Sequence, residues 1–406
     1  MNKKVLSWAG YDFANTIFSM NVVSRYFPIF AVTVLGGTDL VVGVSRSTAM
    51  VLVALTTPIF GALADQHNRR KTSLVIFTIA CCVITAFLST VNNLIVELVL
   101  FCLAIYCFQS ALVFYNALLP AVAPSGKMGY VSGLGVSLGY VGSITGLFVV
   151  AVLSSKTFSP YIWTAILFLF FSLPVFIWVK DMPRENIKVD GGKGSQYHKG
   201  LIISLKRARQ IPGVIRFLIG RFFIVEAMET VILFMAVFLI KGAGFKGMAS
   251  NNFGIDEVTI YLIVVTSSTI IGSYIWGMLT QKYGPKKMLL LAVILWFISL
   301  SGMVMTSGKS FLYLWGSIAG IALGGVWTSD RPLLINLIGD TARLGEFFGL
   351  YALSGRLAAV IGPLIWGLVI FFGEPFGDIK YKFAIEALFL MMVIGFIILR
   401  KVPDAR

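Results

Sequence analysis

The sequence predicts an all-α integral membrane protein whose twelve transmembrane helices form two six-helix repeats, and three observations carry that expectation. Apolar residues make up 58% of the 406 residues and charged ones 13%, with a mean hydropathy of +0.89, so lipid must be the solvent for most of the chain. The apolar residues gather into runs of about 20, the length at which a helix crosses hydrocarbon. A fixed shift of 216 residues, the distance from Gly61 to Gly277, superimposes features of one half on the other.

The runs fall at 12–35, 43–64, 72–90, 94–119, 130–153, 160–179, 215–240, 258–280, 288–306, 309–330, 344–371 and 382–399. The first lacks a charged leader with a small-residue cleavage site and holds Asn21 and Arg25, so it reads as a retained helix, with no signal peptide expected. Residues 181–214 form the only long polar stretch and join an N-terminal half, 1–180, to a C-terminal half, 215–406. Within this linker Gly191, Gly192 and Gly194 supply flexibility, and Leu201, Ile202 and Leu205 alternate with Lys206, Arg207 and Arg209 as in a basic amphipathic helix on anionic headgroups.

The net charge of +15 invites a nucleic-acid reading, but most of the 33 lysines and arginines fall in the segments that are cytoplasmic if the N-terminus is inside. Both termini are therefore expected in the cytoplasm, in a plasma (inner) membrane, with no nucleic-acid partner. Cys81, Cys82, Cys102 and Cys107 lie within apolar runs without metal spacing and read as packing residues. With His67 and His198 the only histidines and no phosphate-cradling loop, neither an enzyme, a metal nor a cofactor is expected.

The 216-residue shift places Gly61, Leu63, Arg70 and Lys71 on Gly277, Leu279, Lys286 and Lys287. It also places Lys127, Gly129, Gly133, Gly139 and Gly146 on Arg343, Gly345, Gly349, Gly355 and Gly362. A shift by six helices, an even number, makes the halves parallel about an axis along the membrane normal, an arrangement suited to rocking around a midplane site.

Between the second and third runs the chain reads Gly61-Ala-Leu-Ala-Asp65-Gln-His-Asn-Arg69-Arg70-Lys71, which resembles the loop motif of the major facilitator superfamily. In physical terms Gly61 permits close helix approach, Asp65 can pair with basic groups or a helix N-terminus, and the cations meet anionic lipid, so Gly61, Asp65, Arg69 and Arg70 form a candidate conformational latch. The second-half counterpart keeps Gly277 and Lys286 but has Gln281 where Asp65 stands, and a weaker latch is expected there. Ordinary positive-inside topology accounts for the cations alone.

Three further segments narrow the resemblance: Tyr11-Asp12-Phe13-Ala14-Asn15, Tyr115-Asn116-Ala117-Leu118-Leu119-Pro120, and Glu346-Phe-Phe-Gly349-Leu-Tyr351 with Gly355-Arg356 and Gly362-Pro363. These look like the vacuolar-effluxer-like branch, named for a fungal autophagy-related protein linked to amino-acid release. The resemblance implies the twelve-helix superfamily fold, with the first, fourth, seventh and tenth helices lining a cavity.

Ionisable groups at bilayer depth cost about 2.5–3.5 kcal/mol each on insertion scales, so each needs a partner, water or neutralisation. Glu226 and Glu229, three apart in the seventh run, share a helix face. Either one of them takes a proton or cation and gates reorientation, or they are structural ion pairs with Arg221, Arg25 or Arg356. Arg356 is a candidate to hold a substrate carboxylate or phosphate, and Arg331, beside Asp330, a candidate gate. In the first run Asp12, Asn15, Thr16 and Ser19 recur at helical spacing as a polar stripe, although Asp12, placed in the first turn, can also serve the helix dipole. Tyr115, Asn116 and Trp327 are candidate orienting contacts by the family topology, or interfacial anchors.

These readings converge on a secondary active transporter of a small polar or zwitterionic solute, such as an amino acid, working by alternating access with protons as a candidate coupling ion. A monomer is expected, with anionic lipid headgroups as its other partner. Efflux of amphipathic drugs or lipids is the alternative that 14 methionines and 33 phenylalanines favour if they line the cavity; a non-transporting receptor on the same fold is another.

Overall fold

The computed structural model describes residues 3–66, 69–123, 128–154, 159–180, 204–247, 256–306, 308–339 and 344–403. Twelve described helices are long and apolar enough to cross a membrane. They are α1 (Lys3–Val34), α2 (Asp39–Gln66), α3 (Arg70–Phe87), α4 (Leu94–Ala117), α5 (Met128–Leu153) and α6 (Pro160–Trp178). The second six are α7 (Val214–Gly242), α8 (Glu257–Tyr283), α9 (Pro285–Met305), α10 (Lys309–Ile338), α11 (Leu344–Phe372) and α12 (Ile379–Arg400).

Local chemistry sets several of the ends. Asn93 Oδ1 accepts the Ile95 and Val96 N–H groups at the start of α4, and Ser159 Oγ accepts that of Tyr161 just before Pro160 opens α6. Gly284 (φ +88°) precedes Pro285 at the start of α9, and Gly339 (φ +67°) stops α10. Residues 204–210, within the basic part of the linker, are helical, with Ala208 buried and Lys206, Arg207 and Arg209 exposed; Leu201 and Ile202 lie outside the described residues.

Two ends differ from the sequence expectation. The first helix begins at Lys3 rather than at 12, because Trp8 and Tyr11 extend the apolar face, so Asp12 stands in the third turn and not at the N-terminal dipole. The tenth helix continues through Arg331 and Pro332 to Ile338, two turns past the expected end at 330.

The chain divides into two compact units, Met1–Gly191 with Lys246–Thr259, and Gly192–Phe245 with Ile260–Arg406. Within the first, α1 packs on α5 and α6, α4 on α2 and α3, and α3 on α6. The second repeats these pairings: α7 with α11 and α12, α10 with α8 and α9, and α9 with α12. The internal repeat is therefore structural. In each unit one helix is enclosed by the others, α1 with 72% and α7 with 78% of its apolar window buried, against 28–50% for the remaining ten. Glycine makes the closest approaches possible: a Cβ at Gly142 would strike the Phe13 backbone of α1, and one at Gly362 would strike Thr230 and Glu226 of α7.

Both enclosed helices loosen into π-helical turns, Ser19–Tyr26 and Phe30–Val34 in α1 and Phe238–Gly242 in α7. Their ends close alike, with Gly37 N–H donating to Ala31 O at 2.9 Å and Phe245 N–H to Leu239 O at 2.8 Å. Such turns widen the helix and turn its side chains, and they are frequent at functional sites.

Candidate functional site

In the first unit the polar stripe of α1 meets the glycines of α5. Asp12, half-buried, accepts from Asn15 Nδ2 at 3.0 Å and lies against Gly135, while the Thr16 hydroxyl is 2.9 Å from Asp12 O and 2.6 Å from Gly139 O across the interface. Asn15 is buried and Ser19 half-buried. Tyr115 is buried rather than an interfacial anchor: its ring stacks on Trp8 at 4.3 Å, and Trp8 Nε1 donates to Tyr115 O at 3.0 Å. Asn116 beside it is exposed.

Farther along α1, Arg25 is only 2% exposed. Its Nη2 lies 2.8 Å from Asp256 Oδ1 on the segment that precedes α8, and its guanidinium sits 4.4 Å from the Tyr26 ring centroid. Arg25, a candidate counter-ion for a helix-7 carboxylate by sequence, is paired with Asp256 of its own unit. Asn21, one turn earlier and fully buried, has no hydrogen-bond partner for either amide atom among the described residues.

In the second unit three helices converge on a buried ion pair. Arg221 Nε of α7 is 3.0 Å from Asp330 Oδ2 of α10, the Tyr351 hydroxyl of α11 donates to the same oxygen at 2.5 Å, and Arg221 Nη1 donates to Tyr351 O at 3.2 Å. The guanidinium also stacks 3.5 Å from the Tyr351 ring centroid. Arg221, one of the three candidate partners for a helix-7 carboxylate, is thus paired with Asp330. Arg331, next to Asp330, is exposed two turns before the helix ends.

Glu226, five residues along α7 from Arg221, is fully buried with both carboxylate oxygens lacking a hydrogen-bond partner among the described residues. Its backbone carbonyl accepts from Thr230 Oγ1 at 2.8 Å, and its side chain occupies the space that Gly362 leaves on α11. Glu229, three residues on, is half-buried, as are Arg356 on α11 and Trp327 on α10. The shared face of the two glutamates thus holds two environments.

Of the latch residues, the surroundings of Gly61 and the side chain of Asp65 lie outside what the structure describes. Arg70 Nη1 donates to Ala117 O at 3.2 Å, tying the start of α3 to the end of α4, while Arg69 is exposed. In the other half Gln281 is exposed, Lys286 half-buried, and a Cβ at Gly277 would meet no atom within 4 Å.

Sequence reading missed Asp256 and the part Tyr351 plays. The first had a signal: an Asp three residues before Thr259 at the head of an apolar run is a helix-capping pattern, and Asp256 Oδ1 accepts from Thr259 N at 2.7 Å and Thr259 Oγ1 at 2.5 Å. Tyr351 stood in a family-like segment, but nothing local pointed to Asp330 and Arg221 as its partners.

A twelve-helix fold built twice from six, with ionisable groups buried on the enclosed helix of each unit, is the build of a solute carrier, and comparison with known proteins decides the family. Residues 37–128 and 122–406 match the family described as vacuole effluxer Atg22-like. The chain belongs to that family. Its relatives include the uncharacterized MFS-type transporter YxiO of Bacillus subtilis (strain 168), 25% identical over 99% of this chain and 95% of its own. Autophagy-related protein 22 of Kluyveromyces lactis is 26% identical over 66% of this chain and 57% of its own. Among solved structures, the nucleoside transporter NupG covers 98% of each chain with a TM-score of 0.73 at 14% identity. A bacterial homolog of the human lysosomal transporter Spinster covers 100% of this chain and 97% of its own, with a TM-score of 0.71 at 13% identity. This Atg22-like chain is a multi-pass membrane transporter of the major facilitator type, and its partner is a small-molecule solute.

Proposed function

We propose that the protein is a secondary active carrier of a small polar or zwitterionic solute, coupled to protons through Glu226 and working by alternating access. The observation that carries this reading is the burial of the Glu226 carboxylate in mid-α7 without a hydrogen-bond partner among the described residues. A charged carboxylate in that setting is a high-energy group, and taking up a proton removes the charge. Proton occupancy is thereby linked to whichever conformation buries the group. Glu229, Arg356 and Trp327, half-buried on α7, α11 and α10 of the same unit, would complete the proton path there.

In this reading 1–180 and 215–406 are the moving halves, 181–214 is a cytoplasmic tether, and both termini face the cytoplasm of a plasma (inner) membrane. The protein acts as a monomer, with its basic loops on anionic headgroups. Within this class an amino acid is the zwitterionic solute we take first.

The test is uptake and counterflow of an amino-acid mixture in proteoliposomes with internal pH recorded. Wild-type flux should carry protons inward. Glu226→Gln should retain counterflow, which needs no net proton movement, and lose proton-driven accumulation. Accumulation that survives in Glu226→Gln would remove the coupling role.

A further inference from the structure

Asp256 and Arg25 are unequal partners. Asp256 Oδ1 accepts three hydrogen bonds, two of which come from Thr259 as a helix cap and remain if Arg25 leaves. Asp256 keeps 16% of its side chain exposed, whereas Arg25 keeps 2%. Arg25, by contrast, gives Asp256 a single contact through Nη2, and its Nε and Nη1 are buried without a partner among the described residues. A guanidinium is a planar fork that matches both oxygens of one carboxylate, and here only part of the fork is used.

Asn21 lies one turn before Arg25 in the π-helical stretch Ser19–Tyr26, with its amide over Gly146 of α5 and neither amide atom partnered among the described residues. Buried polar groups are seldom left without partners, and here an amide and two guanidinium nitrogens stand so, one turn apart on α1. Asn21 offers both a donor group and an acceptor group, and Arg25 offers donors only. Together they complement a carboxylate with an adjacent ammonium group.

We infer that Arg25 and Asn21 form a binding site for the carboxylate end of an amino-acid-like solute, and that Asp256 is an internal stand-in which the solute displaces. The exchange costs Asp256 one contact of three and gives Arg25 a two-oxygen partner. It also frees Asp256, at the head of α8, from α1, so arrival of solute and parting of Asp256 from Arg25 are one event. This inference rests on the solute-carrier reading above and names the chemical class of its solute.

The test is thermal unfolding of the full-length protein in detergent with each of the twenty protein amino acids at millimolar concentration, beside the α-amide of each. Bound ligand raises the melting temperature, and the amide removes only the carboxylate. At least one amino acid should stabilise the wild type while its amide does not. Asp256→Asn, which keeps the capping oxygen but not the charge, should bind that amino acid about tenfold more tightly, Arg25→Gln should abolish the shift, and Arg25→Lys should weaken it. Asn21→Ala should weaken the amino acid more than the matching acid without an amino group.

Opposite signs for Asp256→Asn and Arg25→Gln are what a purely structural ion pair would not give. Equal stabilisation by acid and amide, unchanged or weaker binding in Asp256→Asn, or no amino acid shifting even Asp256→Asn would each overturn the inference. Should Arg25→Gln not fold, Arg25→Lys decides: wild-type binding there overturns the site. Proton-coupled flux of a solute lacking a carboxylate would refute this inference and leave the Glu226 reading intact.

Discussion

Two buried arginines, one on each enclosed helix, show how the same residue pairing does different work. Arg221 is held by Asp330 and Tyr351 from two other helices, with a ring against its face, so every element of its setting is a rigid rod. Arg25 is held by one aspartate, the cap of α8, with Nε and Nη1 unpartnered among the described residues. The distances, 3.0 and 2.8 Å, do not separate them. What separates them is how much each partner loses on parting: the Arg221 pair loses an interlocked network, while Asp256 retains its Thr259 bonds. The first is a brace, and the second is detachable.

That contrast is open to measurement by unfolding in detergent. The largest effect is expected from Arg221→Met or Asp330→Leu alone, each stranding a buried charge at a cost of about 3–5 kcal/mol, with the double substitution recovering much of it. A loss below about 1 kcal/mol in either single variant would mean that the network is not a brace. Arg25→Gln should cost less, about 1–3 kcal/mol, and a double-mutant cycle with Asp256→Asn should show weaker coupling than the Arg221 and Asp330 cycle. Equal coupling would erase the distinction.

Two smaller effects test the frame around these pairs. Gly142→Ala should cost about 1–3 kcal/mol, because its Cβ would meet the backbone of Phe13, whereas Gly277→Ala, with open space around it, should stay within about 0.5 kcal/mol. Thr16→Val should lose about 0.5–1.5 kcal/mol with its bond to Gly139 O. A costly Gly277→Ala would show that the second-half loop makes a close contact absent from this conformation.

The fold was legible because its signals are local or periodic. Twelve apolar runs became twelve helices, and the glycines matched by the 216-residue shift, Gly146 and Gly362, sit at equivalent α1–α5 and α7–α11 crossings. The buried charges were legible as to residue but not as to partner. Glu226 stood out because a carboxylate in mid-span is expensive wherever it points, yet Arg221 and Arg25 were equally plausible counter-ions for it by sequence alone. The structure gives both to aspartates more than one hundred residues away in the chain, as the separations Arg221 to Asp330 and Arg25 to Asp256 show.

The sequence by itself determined the number of spans, the repeat and the class of protein, because hydrocarbon thickness and the need to pair every backbone group leave a chain of this composition few alternatives. Only the tertiary structure decided which charges are braced, which is detachable and which is left alone. Those outcomes depend on where a side chain lies around its helix and which helix packs there, to within an ångström or two. Composition and periodicity hold no record of such distances, since one turn of register changes every partner while leaving hydropathy the same.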